Sequence, residues 1–174
     1  FMFAATGCAD HQVINGREHP NYFVLLRALI ELSRLLAQAI VRDGEGATKF
    51  VTICVRGGRS SDDCLSVAYT IAESPLVKTA LFAGDANWGR FCMAIGRAPV
   101  PGLNPDKVQL FLDDVQVAEG GLMASDYTDA RGSAVLAQDE FVITIDLGLG
   151  VSSETLWTTD LSYEYVRINA EYRS

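Results

Sequence analysis

The chain has 174 residues, enough for one large domain or two small ones, and its 49% hydrophobic content supplies a core and excludes an intrinsically disordered chain. Its formal net charge is −8 and it contains no basic run, so nucleic acid and anionic membranes are poor partners for it. The four cysteines, at positions 8, 54, 64 and 92, form no CxxC pair, a pattern that is not typical of a zinc site or of a disulfide framework and that favours free, buried thiols and a reducing cytoplasm.

The first part of the chain contains a predicted strand at 1–5, a polar loop and then the clearest helix of the sequence, at 22–42. The opening residues, FMFAATG, lack the charged start of a signal peptide, so they indicate a processed product or a fragment that begins inside a fold. Two loop histidines, His11 and His19, have no metal-ligating neighbours at a suitable spacing, which predicts no metal site. The helix has a charged face that excludes a membrane span. Its opposite face is an apolar stripe formed by Leu25, Leu26, Leu29, Leu32, Leu36 and Ile40.

The next segments are predicted to alternate strand, helix and strand. Apolar alternation over 49–56 predicts a half-buried strand. A helix follows, capped by Ser60 or Ser61, and it ends before Pro75 because the residue preceding a proline resists helical angles. The apolar run 76–83 predicts a second, buried strand.

The second half of the chain continues to mix helices and strands, which predicts an α/β or α+β fold with helices layered on a sheet. A helix is expected at 87–97, with Phe91 and Ala94 on its buried side. Apolar alternation on both sides of Asp113-Asp114 predicts a hairpin. The remaining predicted elements are a helix at 128–138, strands at 140–150 and 154–160, and a last helix at 161–174.

The segment DGEGATK, residues 43–49, has two interpretations. It is not a phosphate-binding loop, because it lacks the GxxxxGK[ST] spacing and it follows a helix and precedes a strand. A helix C-cap followed by a turn explains Gly44 and Gly46. That interpretation leaves Glu45 unexplained, because its carboxylate lies between two glycines, where a ligand ammonium or another donor could approach. Spacing alone leaves both interpretations open.

The segment GDANWGR, residues 84–90, is similarly ambiguous. Asp85 or Asn87 can cap the helix that follows, and this would explain the polar cluster without any ligand. Arg90 could instead hold a substrate carboxylate, as could Lys78, although both could equally be ordinary ion-pair partners.

No catalytic set can be identified within this chain. It has no GxSxG elbow, and two loop histidines do not make a Ser-His-Asp set. An amino-terminal nucleophile requires Ser, Thr or Cys at the first position, and residue 1 is Phe1.

Three sequence blocks, in a fixed order, carry a resemblance to a known family. They are IVRDGEGATKFVTI, SPLVKTALFAGDANWGR and WTTDLSYEYVRINAEYR, the last of which stands just before Ser174. On these blocks the chain, from about residue 33 onward, resembles the ornithine acetyltransferases, the bifunctional glutamate N-acetyltransferases of arginine biosynthesis. The resemblance implies a precursor that cleaves itself into α and β chains, with a nucleophilic threonine at the start of the β chain. That threonine takes an acetyl group from N-acetylornithine, releasing ornithine, and passes it to glutamate.

The resemblance also implies a fold, a site and partners. Residues 1–48 would belong to a nucleophile-bearing αββα domain of a self-processing acyltransferase, and 49–174 would form a C-terminal α+β domain. Glu45, Asn169 and Ser174 match substrate-binding positions. Arg90 and Lys78, which the family motif does not assign, are candidates for holding those residues in place. The catalytic threonine and the oxyanion-hole residues are not in this chain. The expected partner is the α chain in an α2β2 assembly in the cytoplasm, with acetyl-CoA as a co-substrate in some members and no metal or other cofactor.

Two other functions stay open at this level. A related self-processing aminopeptidase or amidohydrolase would release the acyl group to water, and adding ornithine or hydroxylamine as an acceptor would distinguish it from a transferase. A non-catalytic amino-acid-binding module is the other alternative, and a threonine-bearing segment upstream in the same gene product would exclude it.

Overall fold

The computed structural model describes residues 6–8 and 12–172, and the chain divides into two compact units, one up to Gln38 and one from Ala39 onward. Helix α1 (Tyr22–Arg42) begins in the first unit and ends in the second, and it confirms the helix predicted at 22–42. None of its residues is buried within this chain, and Leu32 and Leu36 of the apolar stripe are 47% and 44% exposed. The strand predicted at 1–5 lies outside the described residues.

The second unit is a six-stranded sheet with helices packed on it, which confirms the α+β class. The strand order is β4-β3-β2-β5-β1-β6, and β1 and β5 are parallel while the other described pairs are antiparallel. Its elements are β1 (Phe50–Gly58), α2 (Ser61–Ala72), α3 (Pro75–Ala83), α4 (Trp88–Gly96), a 3-10 turn (Pro105–Lys107), β2 (Gln109–Leu112), β3 (Val115–Glu119), β4 (Leu122–Met123), α5 (Asp129–Leu136), β5 (Glu140–Asp146), β6 (Ser152–Thr159) and α6 (Tyr163–Glu171).

The core lies between one face of the sheet and the helices. Alternate residues of β1 are fully buried, and helix α2 packs over β1 and β6. This is the period-2 pattern of a strand with one face toward the core. The hydrophobic residues of the parallel strands β1 and β5 that are 0% exposed are Val51, Ile53, Val55, Ile143 and Ile145.

The strand predicted at 76–83 is wrong, because this segment is helix α3. The hydroxyl of Ser74 accepts a hydrogen bond from the Val77 amide, and Pro75 occupies the first turn, where its missing N–H costs nothing. Gly84, with φ of +67°, ends the helix in the left-handed conformation. A short apolar run with small residues fits a strand and a buried helix equally well, so the caps decide the outcome.

Most of the other predicted elements are confirmed, with shifted ends. Ser60 caps α2, Thr128 caps α5, and the hairpin between β2 and β3 turns at Asp113, whose φ is +48°. Strand β5 ends at Asp146, before the expected residue 150. Sequence analysis missed β4 and the 3-10 turn, which are too short to show a periodicity.

The four cysteines are free, but they are not all buried. Cys64 is buried as predicted, Cys54 and Cys92 are half-buried, and Cys8 is exposed, which corrects the prediction for that residue. Burial raises the pKa of the Cys64 and Cys92 thiols, because a thiolate loses hydration inside the protein. In the part of the chain that the structure describes, no helix has both the length and the apolar character needed to cross a membrane.

Candidate functional site

The loop of residues 44–49, which contains Glu45, lies along the junction between β6 and α6. Strand β1 runs antiparallel to β6, so that Phe50, the first residue of β1, pairs with Thr159, the last of β6. The loop before β1 therefore meets the segment after β6. At this junction the Ser162 hydroxyl donates a hydrogen bond of 2.6 Å to the Gly46 carbonyl.

Glu45 and Asn169, two of the three predicted substrate-binding residues, are in direct contact. Asn169 Nδ2 donates to Glu45 Oε2 at 2.8 Å, although the two residues are 124 positions apart in the sequence. The same amide nitrogen donates to the Tyr165 carbonyl at 2.9 Å, one turn earlier in α6. Both side chains are exposed. The third predicted residue, Ser174, lies outside the described residues.

This pair leaves two acceptor atoms without a hydrogen-bond donor among the described residues. The amide nitrogen of Asn169 is used by Glu45 and Tyr165, which leaves the Asn169 Oδ1 without a donor among the described residues. Glu45 Oε1 likewise has no described donor. A carboxylate oxygen and an amide oxygen side by side, with one negative charge, suit a ligand that presents an ammonium group.

A buried carboxylate that sequence analysis did not single out holds the other end of the loop. Asp160 is only 4% exposed. Its Oδ1 accepts hydrogen bonds from the backbone amides of Thr48 and Lys49 at 2.8 and 3.0 Å, and its Oδ2 accepts from the Thr48 hydroxyl at 2.6 Å. The only sequence signal was an acidic residue between an apolar strand and a helix cap, which is also typical of an exposed turn.

Lys78 lies behind this junction and contacts neither Glu45 nor Asn169. Its ammonium donates to the carbonyl of Thr159 and, at 3.2 Å, to the hydroxyl of Thr158. Its own carbonyl accepts from the amide of Leu161 at 3.1 Å. Burial lowers the pKa of Lys78, and the nearby charge of Asp160 acts in the opposite direction.

Arg90 and the segment GDANWGR connect helices α3 and α4. The Arg90 guanidinium donates to the Leu76 carbonyl at 2.9 Å and to the Thr79 hydroxyl at 3.3 Å. Asn87 caps α4 by accepting from the Arg90 amide, so the capping interpretation of this segment holds for Asn87. Arg90 contacts neither Glu45 nor Asn169, so any support that it gives to the loop passes through α3.

The surroundings of α6 supply apolar surface. An open cleft of about 340 Å³ lies between α3 and the start of α6, and no charged side chain lines it. Within it, the rings of Phe82 and Tyr163 meet edge to face at 5.4 Å. Among the described residues, no group of three or more His, Cys, Asp or Glu side chains could hold a metal ion.

Comparisons with known proteins agree on one family. A family model described as the ArgJ family matches residues 1–174. The "Arginine biosynthesis bifunctional protein ArgJ" of Pseudomonas fluorescens is 56% identical over 173 residues, 99% of this chain and 43% of that protein. Its namesake in Neisseria gonorrhoeae is 48% identical over 174 residues, 100% of this chain and 43% of that protein.

A solved structure supports the same relationship. The crystal structure of the arginine biosynthesis bifunctional protein ArgJ from Bacillus halodurans superimposes with a TM-score of 0.89 and is 34% identical, covering 97% of this chain and 78% of that one. The chain spans 43% of the length of the two curated relatives named above.

Proposed function

The chain belongs to the ArgJ family, and from this premise we propose that it is the C-terminal part of the β chain of an ornithine acetyltransferase in arginine biosynthesis. The enzyme moves an acetyl group from N-acetylornithine to glutamate through an acyl-threonine intermediate. The threonine nucleophile and the oxyanion-hole residues belong to parts of the protein outside these 174 residues. This chain contributes substrate binding.

The observation that carries the proposal is the hydrogen bond between Glu45 and Asn169. The Glu45 carboxylate binds a substrate ammonium, and Asn169 holds that carboxylate in place while its own Oδ1 accepts a second hydrogen bond. Ser174 adds a hydroxyl as the third proposed contact. Lys78 and Arg90 support the site indirectly, through the β6–α6 junction and through α3.

The proposed partners are the α chain of the same precursor, in an α2β2 assembly in the cytoplasm. The exposed apolar stripe of α1 supports a partner, because surface of this kind is normally buried against another polypeptide. The proposed small-molecule substrates are N-acetylornithine, ornithine and glutamate. No cofactor is proposed, and acetyl-CoA is a co-substrate only if the complete enzyme also makes the first acetyl transfer to glutamate.

Acetyl transfer from N-acetylornithine to glutamate by the full-length protein, without acetyl-CoA, tests the reaction. N-acetylglutamate and ornithine are expected in equal amounts, because the acyl-enzyme passes its acetyl group to the amine. Acetate release that is independent of added amine, from a protein whose self-cleavage is verified by mass, would instead establish a hydrolase.

The Glu45→Gln substitution in the full-length protein tests the site. We expect kcat/KM for N-acetylornithine to fall about tenfold to a hundredfold, since a hydrogen bond to a charged group contributes about 1.5–3 kcal/mol. Glu73→Gln is the control, because Glu73 is an exposed carboxylate at the end of α2, far from the loop in sequence. Unchanged kinetics in Glu45→Gln would contradict the assignment of the site.

A further inference from the structure

The loop that carries Glu45 is held by hydrogen bonds at several points, and three of these bonds go to the buried carboxylate of Asp160. We propose that Asp160 is a positioning residue, which fixes the loop of residues 44–49 so that the Glu45 carboxylate meets Asn169. The inference rests on the proposed function only for the identity of the ligand that the Glu45 carboxylate binds. The hydrogen bonds that hold the loop are a property of the fold.

The first step of the argument is the bonding of Asp160. Its two oxygens accept three hydrogen bonds, all from the loop: the Thr48 amide, the Thr48 hydroxyl and the Lys49 amide. Asp160 is only 4% exposed, and removing its carboxylate would leave both amides without this acceptor. The side chain therefore ties the end of the loop to the end of β6.

The second step is another hydrogen bond that holds the loop, one residue beyond Glu45. The Ser162 hydroxyl donates to the Gly46 carbonyl at 2.6 Å and accepts from the Tyr165 amide at 3.3 Å, so it caps α6 and holds the loop at once. Glu45 thus stands next to a loop position that is fixed to the same helix that carries Asn169.

The third step concerns the rigidity of the junction behind Asp160. Lys78 is hydrogen-bonded to both chain neighbours of Asp160. The Lys78 ammonium donates to the Thr159 carbonyl, and the Lys78 carbonyl accepts from the Leu161 amide. Helix α3 therefore braces the backbone that presents the Asp160 carboxylate.

These contacts matter for binding because Gly44 and Gly46 give the free loop many conformations. An exposed glutamate in a mobile loop would have to be ordered by each substrate molecule, and that cost would weaken binding. With the loop fastened, the carboxylate is held in place before the substrate arrives. The effect of losing Asp160 should therefore appear mainly in KM and should pass through Glu45.

The experiment compares Asp160→Ala, Asp160→Asn, Glu45→Gln and the double variant Asp160→Ala/Glu45→Gln in the full-length protein. We expect Asp160→Ala to raise KM for N-acetylornithine about tenfold. Asp160→Asn should restore most of the affinity, because its Oδ1 still accepts from both amides and the Thr48 hydroxyl can turn to accept from its Nδ2. The double variant should lose little more than Glu45→Gln alone, since the two residues act as a unit.

Tyr127→Phe is the matched control for general destabilisation. It removes a buried hydrogen bond of 3.3 Å, from the Tyr127 hydroxyl to the Ala86 carbonyl, and among the described residues Tyr127 forms no hydrogen bond with the loop. Its KM should stay at the wild-type value even if its Tm falls as far as that of Asp160→Ala. If Asp160→Ala does not fold, Thr48→Val removes the 2.6 Å bond alone and should raise KM by a smaller factor.

The outcomes distinguish this inference from the proposed function. If Glu45→Gln raises KM while Asp160→Ala, or Thr48→Val in its place, does not, the positioning role is wrong and the substrate site stands. Additive losses in the double variant would also overturn the positioning role. If the kinetics of Glu45→Gln are unchanged, the substrate site is wrong, and hydrogen exchange then tests whether Asp160 holds the loop. The amides of Thr48 and Lys49 should exchange at least tenfold faster in Asp160→Ala, and unchanged exchange would overturn the inference.

Discussion

Gly46 combines a left-handed backbone with a close contact to another element. Its φ is +66°, and a Cβ added there would lie 2.5 Å from the backbone nitrogen of Tyr165, the third residue of α6. Backbone at that distance cannot turn aside as a flexible side chain can. The absence of a side chain at residue 46 is therefore what allows the loop with Glu45 to approach the helix with Asn169.

The Gly46→Ala and Gly84→Ala substitutions separate these two effects. Gly84 has nearly the same φ, +67°, but nothing lies within 4 Å of the added Cβ. We expect Gly84→Ala to lower the free energy of unfolding by about 1–2 kcal/mol, the cost of the left-handed conformation. Gly46→Ala should cost more than this, because the loop or α6 must also shift. Equal losses in chemical denaturation would show that the contact with α6 is not tight.

At the scale of single elements, α3 shows how much a helix depends on its ends. Its nine residues are mostly apolar, and Val77, Ala80 and Leu81 are buried. Nothing in that composition excludes a strand. The Ser74 hydroxyl accepts a hydrogen bond from an amide in the first turn, and the amide of the glycine at position 84 donates to carbonyls in the last turn. In a strand these backbone groups would pair with a neighbouring strand instead. The caps therefore determine the helix.

Ser74→Ala tests the cap of α3. The Ser74 hydroxyl is buried and accepts from the Val77 amide, so its loss should lower the free energy of unfolding by about 0.5–2 kcal/mol. Ser153→Ala is the control, since Ser153 is exposed on β6 and should change stability by less than about 0.5 kcal/mol. Both values come from urea denaturation. A loss in Ser74→Ala no greater than that of the control would contradict the capping role.

At the scale of the whole molecule, the apolar stripe of α1 is a long exposed surface. Several of its leucines are more than a third exposed: Leu25, Leu26, Leu32 and Leu36. Amphipathic helices in proteins gain most of their stability by burying such a stripe. Since this chain spans less than half the length of the relatives compared with it, we infer that the rest of the full-length protein covers the stripe.

The Leu32→Gln substitution in the full-length protein tests that inference. If the stripe is covered, the change should destabilise the assembly by about 1.5–3 kcal/mol, the value of burying a leucine, and lower its Tm. Arg27→Gln is the control, because Arg27 lies on the polar face of the same helix and is exposed. A Tm as little affected by Leu32→Gln as by Arg27→Gln would mean that the stripe stays in solvent.

Local patterns in the sequence were enough to find α1, α2, α4, the β2–β3 hairpin and the strands of the central sheet, because each has a periodicity or a cap within a dozen residues. They failed at 76–83, where a buried helix and a buried strand have the same composition. The three sequence blocks also predicted Glu45 and Asn169 as substrate-binding residues through resemblance, but they did not predict that the two side chains touch. That contact depends on β1 lying antiparallel beside β6, which brings the loop before β1 to the helix after β6. Asp160 could not be found from the sequence for the same reason: its bonding partners are 112 and 111 positions away, and only strand order makes them neighbours.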